Sequence, residues 1–254
     1  MSKLSYTKAL NRALADALAE DPSVCVFGED IGAGLAGPTL GLQQRFGRQR
    51  VVDTPLSEQA FTGMAIGAAL EGRRPVIEFQ IPALLFLVFE QLVNQAHKFS
   101  LMSGGQGSVP LTCLIPGSGS RDGWAGQHSD HPYSLFAHSG VKTLVPATPS
   151  DAYGLLASAI RDPDPTVLFA PAAALGVRED VTWQLAPVPI GSARCTGPEP
   201  MSPWSPWAIW STTRSRWRRN WPGRSRWRSS TRARSTRSTG QRWRRRWSAQ
   251  DGWW

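Results

Sequence analysis

The sequence predicts an α/β fold, a parallel sheet with helices on both faces, followed by a disordered or non-native tail. Three observations predict it. Strand-like and helix-like segments alternate along residues 1–194. The strand candidates are apolar throughout rather than alternating, as expected of strands covered on both sides. From about Cys195 onward both signals stop.

The elements follow in order. Ala9, Leu10, Ala13, Leu14, Ala17 and Leu18 form one stripe and predict a helix over Thr7–Glu20, ended by Asp21-Pro22. Val24–Phe27, closed by Gly28, reads as a buried strand, and the Gly-rich stretch 32–41 as a loop. Val51-Val52 is a brief strand before the turn Asp53-Thr-Pro55. A helix rich in Ala and Gly spans Ser57–Glu71; small side chains let a neighbouring backbone come close. Val76–Phe79 is a strand, and Leu84–Ser100 a longer helix. Strands at Leu111–Ile115, Lys142–Val145 and Thr166–Phe169 flank a helix at Ser150–Ile160. Ligands in such sheets sit beyond the strand C-termini. Here those ends are Gly28-Glu-Asp30, Asp53–Glu58, Phe79-Gln80 and Pro116–Gly119.

The 254 residues carry a net charge of +9, which by itself suggests a nucleic-acid binder. Dividing the chain removes that suggestion. Residues 1–200 hold 14 Lys+Arg against 18 Asp+Glu, giving −4, while residues 201–254 hold 14 Arg and one acid, giving +13. No apolar run of about 18 residues predicts a membrane span, and no signal core opens the chain. Cys25, Cys113 and Cys195 have no metal-ligand spacing and are too few for a disulfide framework, so a cytoplasmic setting is expected.

After Cys195 the alphabet narrows mostly to Trp, Arg, Ser, Thr, Pro and Gly, and Leu, Val and Phe vanish. A basic Trp-rich tail suits nucleic acid or a membrane interface, but neither explains the abrupt start. A slipped reading frame does. Trp has the single codon TGG; read one base earlier it becomes Leu, Met or Val. Synonymous codons exist with which the tail restores to strand-like and helix-like sequence that includes DPRALYPFDW and, further on, SVVRTGR. The tail is read as out-of-frame, with a disordered basic extension as the plain alternative.

The order of residues over 4–194 resembles the beta subunit of the thiamine-diphosphate-dependent 2-oxo acid dehydrogenases. Leu4–Leu10, Val26–Gly32, Arg50–Glu58 and Gly63–Ala69 carry the resemblance first. Arg74–Phe79, Gln91–Asn94, Gly126–Ser129, Val145–Asp151 and Ile160–Asp162 continue it. It implies a thiamine-diphosphate pyrimidine-binding domain over 1–194, with 195–254 an Arg/Trp-rich remnant of a C-terminal transketolase-like domain. It also implies an alpha subunit that binds the diphosphate and Mg2+. The absence of a Gly-Asp-Gly metal-diphosphate motif agrees with that division.

The resemblance assigns the site. Glu58 corresponds to the carboxyl that shares a proton with the pyrimidine N1′ of the cofactor and favours its imino tautomer. The cofactor's own imino group then takes the thiazolium C2 proton. Such a carboxyl must be shielded and hold its proton near neutral pH. A Glu in a first helical turn also simply favours the helix dipole. Glu29 corresponds to an acid in a chain of acidic groups linking two active sites; a solvated turn acid is the plain alternative. His128 corresponds to a histidine at the site entrance that assists substrate or lipoyl group, and a surface-loop His is its alternative. His131 is expected to be a neighbour without a role, and His97 and His138 to be structural. Phe86 or Phe89 stands where the family often places an aromatic against the pyrimidine, within a mostly aliphatic segment. The loop 115–124 lacks the usual Arg at the strand end, with Leu114 near that position, and the 33–40 loop is short.

The implied function is thiamine-dependent decarboxylation of a small 2-oxo acid, with acyl transfer to a lipoyl arm of the acyltransferase component. The implied partners are an alpha subunit, in an α2β2 assembly, and that lipoyl acyltransferase. Acetoin cleavage is the related alternative, an inactive truncated paralogue another, and nucleic-acid binding through the tail the alternative from a different class. The expectation is no nucleic acid and no membrane partner.

Overall fold

A computed structural model describes residues 3–119, 126–180 and 185–191. These lie in the first of two compact units, Met1–Thr213; the Arg/Trp-rich residues 195–254 lie outside the described residues.

Strand β1 (Lys3–Ser5) leads directly into helix α1 (Tyr6–Glu20). Ser5 caps it by accepting from the Lys8 N–H at 3.3 Å, satisfying one of the orphan donors of a helix start. Asp21 ends it and accepts from both the backbone and the hydroxyl of Ser23, which turns the chain into β2 (Val24–Gly28). A short helix α2 (Leu42–Phe46) precedes β3 (Val51–Asp53). Helix α3 runs Glu58–Leu70, and β4 runs Arg74–Glu78. The apolar stretch predicted as one helix over Leu84–Ser100 divides into α4 (Leu84–Leu87), a π-helical segment (Gln91–His97) and α5 (Phe99–Met102). The spacing of Leu85, Val88, Leu92, Val93 and Ala96, all buried, suits either helix type, so periodicity did not separate them. Strand β5 (Thr112–Ser118), helix α6 (Tyr133–Ser139), β6 (Lys142–Leu144), α7 (Pro149–Arg161), β7 (Thr166–Pro171) and β8 (Arg178–Asp180) complete the order.

Six strands form one parallel sheet in the order β3-β2-β4-β5-β7-β6, and β1 pairs antiparallel with β8 apart from it. The side chains of the sheet alternate between two cores. Val24, Val26, Val76, Leu114 and Leu168 face α1 and α7. Ile77, Phe79, Cys113, Ile115, Val167 and Phe169 face α3, the π-helical segment and α6. Both faces are therefore covered, which is why the strands read as apolar throughout. Cys25 and Cys113 are buried free thiols. No helix of the described residues is long and apolar enough to cross a membrane.

The order of the sheet fixes where a ligand belongs. The chain steps from β2 to β3 on one side, then returns to place β4 on the other side of β2. The crevice at that reversal, beyond the ends of β2 and β4, is the topological switch point where open parallel sheets bind ligands.

Arg50 anchors this region. Its guanidinium donates to the carbonyls of Val24 (2.6 Å), Leu18 (3.1 Å) and Asp21 (2.9 Å), tying the end of α1 to the start of β2. Replacement by Met keeps much of the stem but leaves three carbonyls without their donor. Arg50→Met is expected to cost about 2–4 kcal/mol in urea unfolding, with an unchanged m-value. A loss under 0.5 kcal/mol would show that water replaces those bonds without penalty.

Candidate active site at the strand ends

At one level across the sheet, Asp53 of β3, Gly28 of β2 and Glu78 of β4 stand in register. The next residues enter the crevice. A Cβ on Gly28 would lie 2.6 Å from the Glu78 carbonyl, so only glycine lets the strand ends approach this closely. Beyond it the chain turns sharply. Asp30 has φ +53°, the one non-glycine residue in the left-handed region among the described residues. The turn is held by the Thr54 N–H donating to Gly28 O, and by Gly34 and Leu35 donating to Asp30 O.

This turn places Glu29 inside. Its residue is 6% exposed, and its Oε1 has no hydrogen-bond partner among the described residues. Burial first, then the charge of Glu58 and a hydrogen bond with that carboxyl, and last Asp30, push the Glu29 carboxyl up to about 7. Glu58 opens α3 and is half-buried; Ser57, before it, makes no side-chain cap. The predicted pair Glu29 and Glu58 is thus brought together at the switch point.

A third acid belongs to this cluster and was not singled out from the sequence. Glu78 is 1% exposed at the end of β4. Its Oε1 accepts from the Thr39 hydroxyl at 3.3 Å and the Gln80 amide at 3.5 Å, and Oε2 has no partner among the described residues. Burial pushes Glu78 up to about 7, and those two hydrogen bonds offset it only in part. The signal was present: a charged residue inside the apolar strand Val76–Phe79 is rare enough to require a reason.

The other predicted residues stand on other elements. Phe86, in α4, is 51% exposed, and Leu87 beside it 50%. The Gln59 amide donates to Leu87 O at 3.0 Å, which ties α4 to the start of α3. Phe89 packs instead against Phe136, with ring centroids 5.4 Å apart. His128 sits in a single 3-10 turn, Gly126–His128, half-exposed. The Gly119 N–H donates to Asp130 O and draws this segment over the end of β5, so β4 lies between it and Glu29 in the sheet. His131 takes part in a hydrogen-bond chain. Its Nδ1 lies 3.1 Å from the Tyr133 hydroxyl, which lies 2.9 Å from the buried Ser118 hydroxyl. A surface hollow of about 490 Å3 lined by His97, Lys98 and Leu101 lies along the π-helical segment and α5, away from the acids. Chemistry, rather than the shape of that hollow, locates the site. Among the described residues no group of His, Cys, Asp and Glu is arranged to hold a metal.

Residues 2–177 match the family described as transketolase, pyrimidine binding domain. The chain belongs to that family. It is 38% identical over 197 residues to the pyruvate dehydrogenase E1 component subunit beta of Leifsonia xyli, covering 76% of this chain and 58% of that protein. It is 41% identical over 193 residues to the 3-methyl-2-oxobutanoate dehydrogenase subunit beta of Mycobacterium tuberculosis (75% and 55%). It is 38% identical over 206 residues to the acetoin:2,6-dichlorophenolindophenol oxidoreductase subunit beta of Bacillus subtilis (75% and 60%). The chain thus spans somewhat over half the length of these relatives. A solved structure described as a split gene transketolase, inactive beta4 tetramer, shares the fold with a TM-score of 0.56 at 17% identity, covering 69% of this chain and 53% of that one. The parallel six-stranded sheet with its helices is therefore a transketolase-like fold.

The raised values of Glu29 and Glu78 make stability depend on pH. The folded chain holds these protons more tightly than the unfolded chain, whose carboxyls titrate near 4.5. Their contribution is complete below about pH 4.5 and is lost as pH rises through about 7. Glu78→Gln, neutral at every pH, is expected to melt above the wild type at pH 8, with the gap closing below pH 4.5. A constant gap across that range would mean that Glu78 stays ionised in the folded chain.

Proposed function

We propose that this chain is the beta subunit of the decarboxylating component of a 2-oxo acid dehydrogenase, acting with thiamine diphosphate. The observation that carries the reading is the Glu29–Glu58 pair at the switch point of a pyrimidine-binding domain. Its relatives named for pyruvate, 3-methyl-2-oxobutanoate and acetoin support the chemistry without choosing among those substrates.

The residues fit a flat heteroaromatic ring with a basic nitrogen. Glu58 offers a half-shielded carboxyl at the crevice, and Glu29 beside it has one unpartnered oxygen. Leu56 (82% exposed), Phe86 and Leu87 supply apolar surface near the start of α3. When bound, the cofactor supplies the nucleophilic carbon and the electron sink for decarboxylation. Glu58 holds or shares a proton at the ring nitrogen. Glu29, buried behind it, disfavours a second negative charge and keeps one proton within the pair near neutral pH. Phe86 contributes an apolar ring to the pyrimidine side. His128, over β5, handles protons at the entrance, where substrate or lipoyl group arrives.

The exposed side of α3 supports a subunit partner. Ala60, Gly63, Met64 and Gly67 are exposed, and added side-chain atoms at the two glycines would meet nothing within 4 Å. An alpha subunit on that side would bring the diphosphate and Mg2+ groups that this domain lacks, and acyl transfer would go to a lipoyl acyltransferase component. Residues 195–254 are proposed to be the out-of-frame remnant of the second domain, which DNA sequencing across codons 190–200 decides.

The test is co-expression with an alpha-type subunit, in the original and frame-repaired forms, assayed with pyruvate, branched-chain 2-oxo acids and acetoin. Glu58→Gln is expected to lower kcat by roughly 10²–10⁴-fold while the assembly still forms by size exclusion. A fully active Glu58→Gln complex, or decarboxylation without thiamine diphosphate, would overturn the assignment.

A further inference from the structure

Glu78 has no part in the chemistry above, yet it is the most deeply buried acid of the cluster. Its two oxygens differ. Oε1 accepts from both Thr39 and Gln80, and Oε2 has no partner among the described residues. Buried with no cation against it, Glu78 favours the neutral form, with Oε1 as the oxygen that takes both donors. Gln80 connects it to the proposed active site. Its amide nitrogen, 3.5 Å from Glu78 Oε1, also lies 2.8 Å from the backbone carbonyl of Glu29 and donates to it.

The Glu29 turn needs such a hold. Asp30 sits at φ +53°, a conformation that persists only where surrounding bonds impose it. Gln80 supplies the bond to the residue just before it. Thr39 ties the same Glu78 oxygen to the 32–41 loop, which α1 holds through Asn11 donating to Pro38 O at 2.7 Å and Leu40 O at 2.9 Å. The titratable groups around the cluster are Glu29 and Asp30 beyond β2 and Glu58 at the head of α3. Asp53 at the end of β3 is engaged by the Gly32 N–H and by Gln43.

We propose that Glu78 and Gln80 are positioning residues: Glu78, held as a neutral acid, orients the Gln80 amide, and Gln80 clamps the Glu29 turn so that its carboxyl stays against Glu58. The reading rests on the proposed function only in taking Glu58 as the proton partner of the cofactor. The clamp itself is measurable without cofactor.

The experiment follows protonated carboxyl bands of the full chain by difference infrared spectroscopy from about pH 5 to pH 9. Two bands lost near neutral pH are expected, one removed by Glu78→Gln and the other by Glu29→Gln. Gln80→Leu frees the turn, lets Glu29 relax toward water, and lowers the midpoint of its band by about one pH unit or more. Glu78→Ala lowers it likewise, whereas Glu78→Gln, which keeps an accepting oxygen, leaves it in place. An unchanged Glu29 midpoint in Gln80→Leu, or no Glu78 band at pH 6, overturns the clamp. Should Glu78→Ala fail to fold, Gln80→Leu at its half-exposed position decides alone. A fully active Glu58→Gln complex with all bands as expected would sink the function and leave the clamp standing.

Discussion

The close approach of Gly28 to the Glu78 carbonyl is the constraint on which the site depends. The parallel strands β2 and β4, whose following connections leave toward opposite sides of the sheet, end side by side, and here they end close enough to exclude a Cβ. That approach forces the chain after Gly28 to turn at once, which puts Asp30 in a left-handed conformation and drives Glu29 inward. It also buries Glu78 at the same level. Two acids at the ends of neighbouring strands are thereby removed from water. The cost of that burial is met by keeping protons rather than by cationic partners, since the causes acting on Glu78 include no charged neighbour. A proton-holding crevice is thus a consequence of backbone packing at the switch point.

Charge placement elsewhere contrasts with this cluster. Lys142 spans Asp162 and Asp164 at 2.7 and 2.8 Å, and Arg161 meets Glu20 at 2.6 Å, both at solvent-accessible positions. Such pairs join α1, α7 and the strand edges with small net energies. These acids are paired with cations, while Glu179 accepts from the Ser150 N–H and hydroxyl and Glu90 from the Gln95 amide. Acids at the strand ends are paired with one another, with hydroxyls and with amides.

Much of the sheet was legible because its strands are continuous apolar runs bounded by Gly or Pro, and α1 and α7 because their stripes and caps are complete. The edge pieces were not. Strand β1 is three residues against another three in β8, too short for any period to show, and α2 and α6 are single or double turns whose order comes from what they pack on. The pair Glu29 and Glu58 was reached through resemblance, since thirty residues of sequence separate what one turn brings together. Glu78 and Gln80 were harder, because their meaning lies in the hydrogen bonds across β2 and β4 and in which oxygen receives them. His131 shows the same limit: beside a proline it reads as a loop residue, while the fold links it through Tyr133 to Ser118.

The same reasoning bears on why α3 is built of small residues. Its buried side needs Phe61, Ala65, Ile66 and Ala69 against the sheet, and this alone does not require glycine at 63 and 67. Glycine in a helix costs about 1 kcal/mol relative to alanine. Neither glycine is crowded by the described residues, so none of these explains accepting that cost twice. A backbone approaching from outside would explain it. Glu58 stands at the first residue of the same helix, so a partner seated along Ala60, Gly63, Met64 and Gly67 would reach the crevice where the acids lie. Helix α3, which carries Glu58, would then also be the surface that meets a second chain, making the geometry of the crevice and subunit contact one structural problem.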